Sequence, residues 1–74
     1  MPKLPRITAV QALRALQRAG WRTVSREGSH AQLTHPSKVG KVTVPMHRGD
    51  LKPGTLNSIL KQADMTADEL RALL

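Results

Sequence analysis

The chain has 74 residues, no cysteine, and 12 Lys and Arg against five Asp and Glu. This length predicts a single domain over residues 1–74 that buries only about 60% of its unfolded surface, so a permanent partner could supply missing burial. Disulfides and thiolate metal sites are excluded, and neither a secretory leader nor a bilayer-spanning run is present, so the cytoplasm is the simplest placement and no membrane contact is expected.

The first element is a helix over "TAVQALRALQRA", residues 8–19. Thr8 followed by Gln11 forms a capping box, and Ala9, Ala12, Leu13, Leu16 and Ala19 fall on one apolar stripe. Gly20 supplies the left-handed residue that ends the helix. Three short runs follow: "WRTVSR" at 21–26, "HAQLTH" at 30–35 and "KVTVP" at 41–45, with "PSKVG" read as the second connection. Alternation and β-branched content make them strands, and connections this short make the sheet an antiparallel meander.

Pro53 suits the first turn of a second helix whose Leu56, Ile59, Leu60 and Ala63 share a stripe. Thr66 and Glu69 repeat the capping box ahead of a short third helix. The fold class is therefore α+β in the order α-β-β-β-α-α, with a core over about 8–63 and a helical extension at 64–74. The amphipathic helices cover one sheet face and leave the other open.

Charge is unevenly spread along this plan. Eleven of the basic residues and only two of the acids lie before residue 64, whereas Asp64, Asp68 and Glu69 crowd the end with Arg71. A surplus of that size on a small domain favours a polyanionic partner, either nucleic acid or an acidic protein surface. No small-molecule ligand and no cofactor are expected.

Alternation also sorts the histidines. Ala31 and Leu33 must share the helix-covered face with Val42 and Val44, which sends His30, Gln32 and Thr34 to the open face with Lys41 and Thr43. If Ala31 pairs with Val44 and the strand direction persists, His47 arrives on that open face near Gly28 and His30, with Arg48 beside it. His35 has the opposite parity and points to the helix side or the hairpin end. Two histidines on opposite faces cannot chelate one ion, so a zinc site is not expected.

Other candidates carry less. Ser29 has no Asp-His relay, and Asp50 and Glu27 read as isolated and solvated. Trp21 suits packing against the end of the first helix, with base stacking as the other option. Arg14, Arg18 and Arg22 read as a solvated face, and "KPGT" at 52–55 lacks the glycine pattern of a phosphate loop. A lone surface histidine is more often without a catalytic role, so the residues alone leave catalysis and simple contact both open.

"GWRTVSREGSHAQLTHP", then "KVTVP", then "DLKPGTLNSILKQA" resembles the HicA toxin family of toxin–antitoxin systems, from about Thr8 to Ala63. The resemblance implies a double-stranded-RNA-binding-domain-like fold and cleavage of messenger RNA, a metal-independent endoribonuclease with His30 as the catalytic residue. Gly28, Ser29, Lys41, His47 and Arg48 would bind the RNA, with no metal involved. It also implies a HicB-like antitoxin as partner. The competing reading is a non-catalytic RNA-binding module of the same fold. Two departures stand out: Leu33 replaces an aromatic of many relatives, and "ADM" replaces the more usual Ala-Gly-Leu after the second helix.

Overall fold

The computed structural model describes residues 4–74. Helix α1 runs Ala9–Arg18, strands β1 Arg22–Glu27, β2 His30–His35 and β3 Lys38–Pro45, and helices α2 Pro53–Ala63 and α3 Ala67–Ala72. The strands form one antiparallel sheet in the order β1-β2-β3, with helices on one face, as the pattern predicts. Ala31 pairs with Val44 and Leu33 with Val42, and all four are wholly buried. Leu33 therefore fills its core position without the bulk of an aromatic.

Local chemistry sets the helix limits. Thr8 accepts from the Gln11 amide while the Gln11 side chain accepts from the Thr8 amide, which satisfies two otherwise orphaned donors. At the other end Gly20, at φ +99°, lets its own amide reach Gln17 O and the Trp21 amide reach Leu16 O. That is the Schellman arrangement, and it drops Trp21 straight into the core at 2% exposure. Helix α2 begins with Pro53 in its first turn and closes on Asp64, the only non-glycine residue with positive φ among those described.

Strand β3 starts three residues earlier than the sequence pattern suggests. The connection is the two-residue turn Pro36-Ser37, and Lys38 already pairs with His35. The register then slips between Leu33 and His35, leaving Val39 almost fully exposed. Lys38 to Gly40 reads as part of a loop because this slip breaks the inward–outward alternation that marks a strand.

Helix α2 is pinned along the outer edge of β3. Gln62 Oε1 accepts from the Thr43 amide at 2.9 Å, and Lys38 Nζ donates to Ala63 O at 3.0 Å. The first contact occupies an edge donor that would otherwise invite another strand, and the second places a cation on the negative end of α2. At the opposite end of β3, the Leu51 amide donates to Ile7 O at 2.8 Å and Thr8 bridges to Asp50. Helix α3 belongs to the same core: Leu70 is buried among residues of α1, the sheet and α2, and Arg18 Nη1 donates to Leu73 O. No helix among the described residues is long and apolar enough to cross a membrane.

Candidate functional site

The site is built around the β1–β2 hairpin. Gly28 and Ser29 form a two-residue turn in which Gly28 has φ +56° and Ser29 does not enter the positive region. This is the II′ geometry, whose twist matches that of the flanking strands and which places glycine first. It holds His30 as the first residue of β2, exposed on the sheet face that no helix covers. Among the described residues, neither turn amide nor the Ser29 hydroxyl donates to another protein group. The Ser29 carbonyl accepts from the Met46 amide, which ties the turn to the end of β3.

Because the turn has only two residues, Glu27 stands directly across from His30, and Pro45 flanks His30 on the other side. Glu27 is exposed, as the sequence suggests, but it is not isolated. No hydrogen bond or ion pair joins the two side chains, although directly paired strand residues have Cβ atoms about 4.5–5.5 Å apart. The two-residue spacing between Glu27 and His30 is the signal that could have revealed this pairing.

The remaining candidates divide between two places. Lys41 shares the open-face parity of His30 but lies four residues along β3 from Pro45. At about 3.3 Å per residue that is about 13 Å from the row of His30, within reach of a neighbouring phosphate but not of the same one. His47 does not continue the strand onto the open face. Pairing ends at Pro45, where β2 has no earlier residue to offer, and the chain turns off through Gly49 to Asp50. His47 and Arg48 instead line a shallow groove of about 410 Å³ with Thr8, Val10, Arg26 and Met46. The His47 Nδ1 lies 3.2 Å from Arg48 O. A carbonyl only accepts, so Nδ1 is the donor in this contact.

The other ring systems are structural. His35 points to the helix side, where its Nε2 donates to Ala19 O at 3.1 Å and its Nδ1 accepts from the Ser37 amide at 3.0 Å. Trp21 packs edge-on against it with ring centroids 5.2 Å apart. Its burial removes the option of stacking on a base.

A toxin family model matches residues 11–65, a span that holds the hairpin, the open strand face and helix α2. The chain belongs to the HicA toxin family. That family is described as the HicA toxin of bacterial toxin–antitoxin systems, so this chain is the toxin component of such a pair. A comparison with curated proteins finds no match. In this HicA protein the Gly28-Ser29-His30 motif occupies the tight turn and strand start just described.

Proposed function

We propose that this HicA toxin is a metal-independent endoribonuclease acting on messenger RNA, with His30 as its proton-transfer residue. The observation that carries the reading is the placement of His30: exposed, on the uncovered sheet face, at the end of a turn whose amides have no acceptor among the described residues. Unpaired amides beside the ring suit a phosphate oxygen.

RNA supplies its own nucleophile. Removal of the 2′-OH proton lets that oxygen attack the adjacent phosphorus, forming a 2′,3′-cyclic phosphate as the bond to the 5′ oxygen breaks and that oxygen takes up a proton. Imidazole suits such transfers because it exchanges protons near neutral pH. Gly28 and Ser29 contribute the amides, and Lys41, His47 and Arg48 bind flanking parts of the chain. The partner in this reading is a HicB-like antitoxin that masks the open face, and an RNA substrate of this kind places the protein in the cytoplasm.

The test compares wild type and His30→Ala on purified RNA in EDTA and on growth after induction. Loss of cleavage by about 10²–10⁴-fold, with loss of growth arrest, is expected. DNA, lacking the 2′-OH, should resist both proteins. Equal cleavage and equal toxicity from the two proteins would overturn the assignment, and RNA that is retained but left intact by wild type would favour a binding module.

A further inference from the structure

The groove beside the hairpin has features that the reaction above does not require. Its floor is apolar: Met46 is half-buried and Val10, in the first turn of α1, is 47% exposed. Its rim is cationic or basic, with Arg26, His47 and Arg48, and no acid among the described residues lines it. These residues come from three separate segments: the start of α1, the end of β1 and the loop after β3.

The groove is also mechanically joined to the catalytic turn. The Met46 amide donates to the Ser29 carbonyl, which ties the groove floor to the residue before His30. Arg26 pairs with Ala31, one row from the pairing of Glu27 with His30. Alternation turns Arg26 to the helix side and His30 to the open side, so the two lie on either side of the same sheet end.

We infer that this groove is a nucleotide subsite, holding an RNA residue that flanks the two joined by the cleaved bond, with its base on Val10 and Met46 and its phosphate on Arg26 and Arg48. This deepens the nuclease reading and rests on it. A chain of RNA lying over His30 rounds the Gly28–Ser29 end of the sheet and enters the groove. An apolar floor suits a base face, and guanidinium groups suit phosphate. His47 lines the same groove, where its ring can meet a 2′-OH or a base edge of the occupant. The subsite would therefore set preference for the flanking nucleotide.

Val10→Asp tests this without attacking the fold, because an acid in the first turn of α1 is favourable to the helix. Leu74→Asp is the charge-matched control, at 48% exposure and outside the groove. The first measurement is the ratio of kcat/KM for a single-stranded oligonucleotide to that for a dinucleotide, which the groove would enlarge. Val10→Asp and Arg26→Ala should each shrink that ratio about tenfold, a loss of about 1.4 kcal/mol, while Leu74→Asp leaves it within twofold. The second measurement is binding of the same oligonucleotide by fluorescence anisotropy in a His30→Ala background, where both groove variants should weaken affinity and the control should not. Unchanged ratio and unchanged affinity would overturn the subsite while leaving the nuclease reading intact. Weakened binding with no cleavage by wild type would retain the groove as an RNA site and remove the nuclease reading instead.

Discussion

His35 Nε2 lies 2.8 Å from the position a Cβ on Gly20 would occupy, and the same nitrogen donates to Ala19 O at 3.1 Å. One imidazole thus fastens the turn end of the β2–β3 hairpin to the C-terminus of α1, and Gly20 is required for both its space and its φ of +99°. Gly20→Ala should cost about 2 kcal/mol from the left-handed backbone alone, with further loss from the clash. His35→Ala removes the obstructing ring, so the double variant should be less damaged than the two single losses added together. Denaturant unfolding of the four proteins measures this, and strict additivity would refute the contact.

Asp64 closes α2 in the left-handed region at φ 54°, where an ordinary side chain is strained. The departure from Ala-Gly-Leu at this point is therefore a departure in residue type at a position whose backbone still has the glycine conformation. Asp64→Gly should stabilise the protein by about 0.5–1 kcal/mol, seen as a rise in Tm of several degrees. A lower Tm would show that the aspartate makes a contribution beyond its backbone.

The C-terminal segment is tied in by one large side chain. Leu70 is 1% exposed within the main hydrophobic cluster. Leu70→Ala should cost about 2–5 kcal/mol, against a total stability of about 4–11 kcal/mol for a chain of this size. Loss of cooperative unfolding, or a strongly lowered midpoint, is the expected result. A change under about 0.5 kcal/mol would mean that α3 docks without supporting the core.

Much of this arrangement was legible in advance because it depends on short-range periodicity. Alternation in "HAQLTH" and "KVTVP" puts Ala31 and Val44 on one face, where the register assumed for them is the one observed, and sends His30 and His35 to opposite faces. Capping boxes at Thr8 and Thr66 marked two helix starts correctly. The early start of β3 was hidden because the register slip interrupts alternation there. The turn of His47 into the groove was hidden for another reason: it depends on where β2 runs out of residues to pair. The groove itself has no sequence signature, since Val10, Arg26 and Met46 are distant in the chain and meet only through the fold.

Lys41 offers a test of how RNA lies on the open face. It is exposed and one strand-length from the His30 row, so it should meet a phosphate other than the scissile one. Each phosphate contact on a single strand contributes about 0.7 to the slope of log affinity against log salt. Lys41→Ala should lower that slope by about this amount and weaken binding at low salt, with little change in which bonds are cut. An unaltered slope would place the RNA path away from the outer part of β3.

The two capping boxes differ in how they respond to acid. That of α1 uses Gln11, which does not titrate, whereas that of α3 uses Glu69. The Thr66 amide donates to Glu69 Oε1 at 3.0 Å, and this bond, followed by that to the Thr66 hydroxyl, holds the Glu69 carboxyl below its ordinary value. A carboxylate lowered by folding stabilises the native state at pH above its unfolded value, and the contribution is lost as pH falls through the folded value. Glu69→Gln keeps an acceptor in place but removes the titration. The Tm advantage of wild type over Glu69→Gln should therefore be present at neutral pH and fade as acid is added past the carboxylate range. A difference that stays constant across that range, or grows toward low pH, would show that the charge on Glu69 plays no part in capping α3.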